Sequence, residues 1–209
     1  MIDDENSTGL RFELGRKVSH IFIGLIFIFI LYYFGRDVLI DFLTIFLLFG
    51  SVIIIAMHRG LRIPVASWMV DRFERKNVRF PGYGAFWYIV GSLLLALFTA
   101  GTNQIASAIL ILALGDAAAT IFGLAAGRQR HRHIYNQEKT LEGSVAFFLF
   151  SLPAVLLLGW QGVALAALTT VVESLPLPVD DNLSIPLTAA IFFNLYLNIH
   201  FTALPLYPM

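Results

Sequence analysis

The first residue that suggests chemistry is Asp116, a carboxylate within the long apolar run 104–127. It lies about 11 residues, or roughly 16 Å, from either end of that run if the run is helical. An ionised carboxylate so deep in an apolar segment is costly unless it faces a polar cavity, a partner or a metal. Helical spacing places Thr120 and Gly123 on the same face, so the sequence predicts a small, polar stripe that lines a cavity.

A structural role for Asp116 is the alternative interpretation. Gly123 and Gly127 form a Gly-xxx-Gly pattern of the kind that packs helices together. Asp116 would then be a buried carboxylate that pairs with a neighbouring helix, and its charge would serve stability rather than chemistry.

A second group of residues, Lys139, Thr140, Glu142 and Gly143, stands where the next apolar run begins. Thr140 suits a helix N-cap, which leaves backbone N–H groups and the positive end of the helix dipole available to an anion. Lys139 adds a positive charge, Gly143 permits close approach to the backbone, and Glu142 is placed to hold a cation or to orient Lys139. A solvated helix cap with an incidental Lys139–Glu142 pair is the alternative.

A third group lies in the segment "VESLPLPVDDNLSIP". The apolar run before it, 161–173, reaches only about 20 Å against a hydrocarbon core of about 30 Å, which predicts that Glu173 lies inside the protein. The Leu-Pro-Leu-Pro sequence ends the helix, and Asp180, Asp181 and Asn182 follow it. Asn182 alone is explained as an N-cap of the next helix, but the carboxylates suit a hard cation such as Mg²⁺.

A fourth group recurs at helical spacing where the first apolar run begins: Glu13, Arg16, Lys17 and His20. These residues predict one charged stripe that enters the membrane. An anchor of snorkelling basic side chains would give a similar pattern. His20 lies deepest and is the residue that anchoring explains least.

The composition predicts which kind of protein must position these groups. Of 209 residues, 58% are hydrophobic and 13% are charged, which is typical of a polytopic membrane protein. Cysteine is absent from the sequence, which excludes disulfides and thiol chemistry, and the net charge of zero favours no partner. We expect a single integral membrane domain over 1–209, with a polar N-terminal tail over 1–12 and an interfacial cytoplasmic segment over 58–80.

The expected fold is an all-α transmembrane bundle of about seven spans. The predicted spans are 18–35, 38–57, 84–100, 104–127, 142–159, 161–173 and 183–201. Apart from Arg36, every lysine and arginine falls in segments that share one side of this arrangement. The positive-inside rule makes that side cytoplasmic, with the N-terminus inside, and so places all four polar groups near the cytoplasmic face.

The segment between the second and third spans predicts an amphipathic helix at the membrane surface. Pro64 suits its first turn, and its apolar and basic faces suit contact with anionic lipid headgroups. A surface anchor without a catalytic role is the favoured interpretation. The apolar face is formed by Val65, Trp68, Met69 and Phe73, and the basic face by Arg72, Arg75 and Lys76.

Together, an anion-binding helix start, basic residues and several carboxylates beside a membrane cavity indicate phosphoryl or nucleotidyl transfer to a lipid. The sequence contains no Walker A loop, kinase Gly-rich loop or HRD-type catalytic loop. Another architecture must therefore hold the nucleotide.

Four motifs resemble the CTP-dependent isoprenoid-alcohol kinases, that is dolichol and phytol kinases and the CTP-dependent diacylglycerol kinase. They are "RK..H" from Arg16, "GDAAATIFGLAAGR" from Gly115, "KTLEGS" from Lys139, and "E......DDNLSIPL" from Glu173. Part of this pattern is also similar to phosphatidate cytidylyltransferases. Their terminal His-Gly-Gly and Asp-Arg-x-Asp signature is missing here, and this difference favours the kinases.

The resemblance implies that Lys139, Thr140 and Glu142 belong to a CTP site and that Asp116, Asp181 and Asn182 serve metal and phosphate. The predicted catalytic residues are Asp116, Lys139, Glu142, Glu173, Asp180 and Asp181. The predicted nucleotide and phosphate ligands are Lys17, His20, Arg128, Lys139, Thr140, Gly143 and Asn182. The predicted ligands of Mg²⁺ or another divalent cation are Asp116, Glu142 and Asp181.

The expected function is transfer of the γ-phosphoryl group of CTP to a membrane isoprenoid alcohol of the polyprenol, dolichol or phytol type. Two alternatives stay open: synthesis of a CDP-lipid from CTP and a lipid phosphate, and a transporter with Asp116 as its ion site.

The expected partners are the lipid alcohol, CTP and membrane lipid, without nucleic acid, and the oligomeric state is left open. The short chain is similar to compact prokaryotic members, which implies a prokaryotic plasma membrane.

Overall fold

The chain folds into a bundle of α-helices with one small β-hairpin, and the computed structural model describes residues 2–75, 78–126 and 132–202. The predicted all-α class is therefore confirmed. Within these described ranges, four helical segments are long and apolar enough to cross a membrane, and a shorter apolar helix, Tyr83–Phe98, accompanies them. Those four segments are Leu10–Phe34, Arg36–His58, Thr102–Ala126 and Leu141–Leu158. A total of seven spans and a cytoplasmic N-terminus stay predictions.

The first two helices form an antiparallel pair. Helix α1 (Ile2–Phe34) and helix α2 (Arg36–His58) are joined at Gly35, whose φ of 93° favours glycine. Helix α1 begins well before the first predicted span, so the polar segment over residues 2–12 forms its N-terminal part. Helix α3 (Pro64–Phe73) has proline in its first turn, as the sequence predicts.

Helix α4 (Tyr83–Phe98) packs closely against the C-terminal helix α10 (Asp181–Thr202). The close approach depends on Gly91, because a Cβ atom there would lie 2.1 Å from the backbone oxygen of Asn182. The first turn of α10 is thereby held against the middle of α4.

The fourth predicted span is one continuous helical segment with a change of geometry in the middle. Helix α5 (Thr102–Leu110) passes through a π-helical turn (Ile111–Gly115) into helix α6 (Asp116–Ala126). A π-helical turn widens the helix and shifts the direction of the side chains that follow it. Asp116 is the first residue after this turn.

The connection after α6 contains a feature that the sequence did not predict, a β-hairpin. Strands β1 (Arg132–His133) and β2 (Asn136–Thr140) pair in antiparallel fashion, and Arg132 lies opposite Thr140.

The predicted span 142–159 follows as helix α7 (Leu141–Ser151), a 3₁₀ turn (Leu152–Ala154) and helix α8 (Val155–Leu158). Helix α9 (Trp160–Ser174) completes the order before α10.

The apolar core surrounds α5. In the most apolar window of the segment Thr102–Ala126, 72% of residues are buried, whereas the corresponding share in α2 is 11%. Helix α2 therefore presents most of its surface outward, and α5 is enclosed by its neighbours. Large side chains that are fully buried include Leu31, Leu39, Leu43, Leu95, Ile105, Ile109, Leu112, Phe147, Leu165, Ile185 and Phe193.

The contact between α4 and α10 gives a first testable prediction. Gly91→Ala should destabilise the protein by about 1–3 kcal/mol or more, because its methyl group would clash with backbone atoms of Asn182 that cannot move alone. Thermal unfolding of the purified protein in detergent measures this loss. Gly50→Ala is the matched control, since a Cβ atom at Gly50 meets no atom within 4 Å. Equal unfolding temperatures for the two variants would contradict the predicted close contact.

Candidate functional site

A cavity of about 2110 Å³ gathers members of all four polar groups that the sequence analysis singles out. It lies among α1, α2, α4 and α6, and extends to the hairpin and to the ends of α9 and α10. Its volume exceeds the roughly 300–1,000 Å³ that is typical of small-molecule sites, so it can receive two ligands side by side. Part of its lining, the charged wall, carries ionisable side chains, whereas the part that α2 contributes, the apolar wall, carries no charged side chain. The charged wall includes Glu13, Lys17, Asp116, Lys139, Glu173, Asp180 and Asp181.

Lys17 and Asp116 form a buried ion pair between α1 and α6. The Lys17 ammonium donates a hydrogen bond to Asp116 Oδ2, and the two side chains are only 3% and 7% exposed. Lys17 therefore does not act as a snorkelling anchor. The pairing that the structural interpretation of Asp116 predicts is present, and Asp116 lies on the cavity wall as well. Its catalytic role stays a prediction.

The predicted small stripe on α6 does line the cavity. Ala119, Thr120 and Gly123 follow Asp116 on this wall. The Thr120 hydroxyl donates to the backbone oxygen of Asp116, so it is occupied within its own helix. Gly127 and Arg128 lie outside the described residues.

Glu13 extends the charged stripe of α1 toward the mouth of the cavity. It accepts hydrogen bonds from Arg16 Nη2 at 2.6 Å and from Arg75 Nε at 2.7 Å. Arg75 follows α3 in the chain, so this contact ties the predicted interfacial segment to α1. Burial alone would lower the pKa of Arg75, but its hydrogen bond and ion pair with Glu13 raise that pKa above its ordinary value. Sequence reasoning assigned Arg75 to a membrane surface and missed this contact.

His20 lies on the cavity wall one helical turn beyond Lys17. Its ring packs on the ring of Tyr88, with 3.8 Å between the centroids, and the Tyr88 hydroxyl donates to the His20 backbone oxygen. The Nε2 atom of His20 is enclosed and has no hydrogen-bond partner among the described residues. A buried polar atom of this kind requires a partner, which a bound water, an ion or a ligand supplies.

Lys139 is the centre of a second charged cluster. Its Nζ atom donates to Glu173 Oε1 at 2.5 Å and to Asp181 Oδ2 at 2.7 Å. Burial alone would lower the pKa of Lys139, but the Asp181 and Glu173 carboxylates raise it above its ordinary value, so the lysine stays charged. Glu173 is buried, as the short predicted span implied, and its Oε2 atom has no hydrogen-bond partner in the described part of the chain.

The predicted cap of α7 is confirmed. The Thr140 hydroxyl accepts a hydrogen bond from the Gly143 backbone N–H at 3.2 Å. Gly143 itself was expected to admit a ligand, but α6 approaches it instead, because a Cβ atom there would lie 3.0 Å from the Ala119 backbone oxygen. Gly143 therefore packs two helices together, and its contact with a nucleotide stays a prediction.

The start of α10 differs in one respect from the sequence-based expectation. Asp180, and not Asn182, caps this helix, because Asp180 Oδ1 accepts from the Asn182 backbone N–H at 2.9 Å. Burial raises the pKa of Asp180, although that backbone hydrogen bond opposes the change. The Asn182 side chain donates to the Gly84 backbone oxygen at 3.2 Å, which fixes its amide on the cavity wall.

The unpredicted β-hairpin positions Lys139. The Asn136 side chain donates to the Ser174 backbone oxygen at 3.0 Å, and the hydroxyl groups of Tyr135 and Ser174 are also 3.0 Å apart. On the other strand, His133 Nε2 lies 3.0 Å from Ser144 Oγ. The hairpin is thus fastened to the end of α9 and to α7.

Glu142 is not brought into the main cavity. It lines a separate groove between α6 and α7 with Phe122 and Leu141. The predicted metal ligands Asp116, Glu142 and Asp181 therefore do not meet, and among the described residues no group of three or more histidine or carboxylate side chains is close enough to hold a metal.

One relative extends over nearly the whole chain. The uncharacterized protein MJ1137 of Methanocaldococcus jannaschii is 27% identical over 190 residues, which cover 90% of this chain and 95% of that protein. No protein-family model matches the chain, and no solved structure matches it. The shared length indicates that the two proteins are built from a similar series of segments.

The Lys17–Asp116 pair gives a second testable prediction. Lys17→Met and Asp116→Asn should each destabilise the protein by about 3–5 kcal/mol, because each change removes one charge of the buried pair and leaves the other charge uncompensated. The double variant should be more stable than the sum of the single losses predicts. Thermal unfolding of all four proteins in one detergent measures the coupling. Strictly additive losses would show that the two side chains do not interact.

Proposed function

We propose that this protein is a CTP-dependent lipid kinase, which transfers the γ-phosphoryl group of CTP to a membrane isoprenoid alcohol at the cytoplasmic face of a prokaryotic plasma membrane. The observation that carries the proposal is Lys139, which stands at the start of α7 beside two acidic side chains in a cavity with an apolar wall. The four sequence motifs that resemble the CTP-dependent kinases all contribute residues to this cavity.

The start of α7 is suited to the nucleotide phosphates. Helix α7 has 11 residues, and Lys139 precedes the Thr140 cap at the positive end of its dipole. Arg16, Arg75 and Arg132 line the same cavity and extend the positive potential toward its mouth. In this proposal the triphosphate lies between these cations, and Lys139 neutralises negative charge that develops on the transferred group.

The acidic residues of this wall fit a divalent cation. Mg²⁺ is commonly held by one or two carboxylates together with substrate phosphates, so a complete protein cage is not required. Glu173 has a buried oxygen without a hydrogen-bond partner in the described structure, and Asp180 and Asp181 lie on the same wall. In this proposal Glu173 and Asp181, together with the nucleotide phosphates, would hold the cation, which supplies charge neutralisation for the triphosphate. Glu142 is less suited, because it lines a different groove. Metal binding by Asp116, which pairs with Lys17, stays a prediction.

The proposed reaction forms a bond between the alcohol oxygen and the γ-phosphorus, breaks the bond to the bridging oxygen and releases CDP. The alcohol proton passes to a carboxylate of the cavity wall. Asp180 suits this role, because its raised pKa makes it a better proton acceptor than an ordinary aspartate. The remaining work is positioning and electrostatic stabilisation.

Product analysis tests the proposal directly. The purified protein in detergent is given Mg²⁺, a long-chain isoprenoid alcohol, and CTP labelled in either the α or the γ phosphate. A kinase transfers only the γ label to the lipid and releases CDP. With a lipid phosphate instead of the alcohol, a cytidylyltransferase transfers the α label and releases pyrophosphate. Absence of turnover with both acceptors, together with ion flux in vesicles, would support a carrier instead.

Lys139 gives the sharpest mutational prediction. Lys139→Met should remove CTP turnover, because an uncharged side chain cannot replace its charge-assisted contacts to phosphate. Turnover and thermal unfolding are measured on the same preparation. Arg62→Met is the control, since Arg62 is an exposed basic residue that does not line the cavity. If Lys139→Met kept more than about a tenth of the activity, a loss under about 1.4 kcal/mol, the lysine would not be a phosphate ligand.

A further inference from the structure

The apolar wall of the cavity is a trench between α1 and α2. The two helices pack near their connection, where the rings of Phe27 and Phe42 lie 6.3 Å apart. Residues of both helices beyond this contact line the cavity. We call this part the apolar trench, and its lining includes Ile23, Ile26, Phe42, Phe46, Gly50 and Ile54.

The trench is long enough for an extended hydrocarbon chain. Residues of α2 line it from Phe42 to Met57, a helical distance of about 22 Å at about 1.5 Å per residue. That length is most of the roughly 30 Å hydrocarbon core of a bilayer. The trench is therefore comparable in scale to a lipid tail and much longer than a nucleotide requires.

The trench and the charged wall meet at His20. One helical turn separates His20 from Lys17 on the polar side, and the next lining residue along α1 on the other side is Phe22, followed by Ile23. The enclosed Nε2 atom of His20, which has no partner among the described residues, stands at this boundary. A ligand that fits both parts has a hydrogen-bonding end at His20 and an apolar remainder in the trench.

The surroundings of the trench identify where such a ligand comes from. Helix α2 is the most apolar candidate span, and only 11% of its most apolar window is buried in the bundle. Side chains at the edge of the trench are exposed, including Phe22 at 65% and Phe46 at 51%. In a membrane this edge faces lipid, because the hydrocarbon region around a spanning helix contains no water.

We propose that the apolar trench holds the hydrocarbon chain of the acceptor alcohol, which enters sideways from the bilayer between α1 and α2 and places its hydroxyl group at His20. This inference rests on the proposed kinase function for the identity of the lipid. It assigns His20 to the acceptor alcohol, whereas the sequence motif placed it with the nucleotide. The Phe27–Phe42 contact closes the far end of the trench and so limits the length of chain that can be enclosed.

Photolabelling tests the trench without any need for turnover. The probe is a long-chain alcohol with a diazirine in its chain, added to the intact protein in detergent, and labelled residues are located by mass spectrometry. We expect label on trench residues of α1 and α2, and competition by the unlabelled alcohol. Label confined to other surfaces of the bundle would overturn the proposal.

Two phenylalanine variants provide a matched comparison. Gly50→Phe places a ring in the trench, whereas Gly15→Phe adds the same ring to α1 at a position that does not line the cavity. At both positions a Cβ atom meets no atom within 4 Å, so both variants should fold. Gly50→Phe should reduce trench labelling about tenfold or more, and Gly15→Phe should leave it unchanged. Equal labelling of the two variants would contradict the trench as the binding site.

The outcome separates this inference from the proposed function. Trench labelling without CTP turnover would retain a lipid site and remove the kinase proposal. CTP-dependent phosphorylation of the alcohol without trench labelling would retain the kinase and overturn the trench. In an active protein, Gly50→Phe should also raise KM for a long-chain alcohol and leave KM for CTP unchanged, because the two ligands occupy different walls.

Discussion

The cost of placing charge inside an apolar bundle governs where the polar residues of this protein lie. Lys17 and Asp116 are both enclosed, and each depends on the other for compensation. Their pair fixes α1 against α6. Because Glu13 and His20 share the stripe of α1 that contains Lys17, the same contact brings them to the cavity wall. This ion pair therefore determines which face of α1 is directed into the bundle.

The same constraint explains the arrangement around Lys139. Its two carboxylate partners come from α9 and α10, and the hairpin that carries the lysine is fastened to the end of α9. If all three side chains are ionised, Glu173 and Asp181 together exceed Lys139 by one negative charge. A phosphate group that bound Lys139 would meet these carboxylates, so its binding favours an accompanying cation. This charge balance connects the proposed nucleotide site with the need for a divalent metal.

Residue chemistry predicted much of this site because intramembrane charge is informative wherever it occurs. Asp116 was identified on the cost of burying it, Glu173 on the shortness of the apolar run before it, and the stripe from Glu13 to His20 on its helical spacing. These residues line one cavity, and all of them except the partly exposed Arg16 are buried. The pairing of those charges was harder to predict. Lys139 pairs with residues 34 and 42 positions later, and Lys17 with one 99 positions later. Helical spacing describes neighbours within one helix and cannot encode such distant contacts.

The fold, like the site, was predicted only in part, because sequence patterns describe single helices and not the contacts between them. Hydrophobic run length places the long helices, but it does not distinguish α5, which is enclosed, from α2, which faces outward. The hairpin was missed because its strands are short and have no apolar alternation to mark a buried face. Asp180 replaced Asn182 as the cap of α10 because both residues have capping side chains and the helix begins at Asp181.

The trench could not be predicted from sequence, because its residues look like ordinary lipid-facing side chains. Phe46 and Ile54 on α2 would serve equally well against a neighbouring helix or against lipid. Their relation to the charged wall arises from the way α1 and α2 pack at Phe27 and Phe42 and both line the cavity beyond that contact. The consequence concerns selectivity in the proposed kinase: its charged wall would recognise groups common to many phosphorylated ligands, whereas the length and closed end of the trench would distinguish one lipid from another. Acceptor choice in this protein is therefore expected to depend on the apolar residues that carry no recognisable motif.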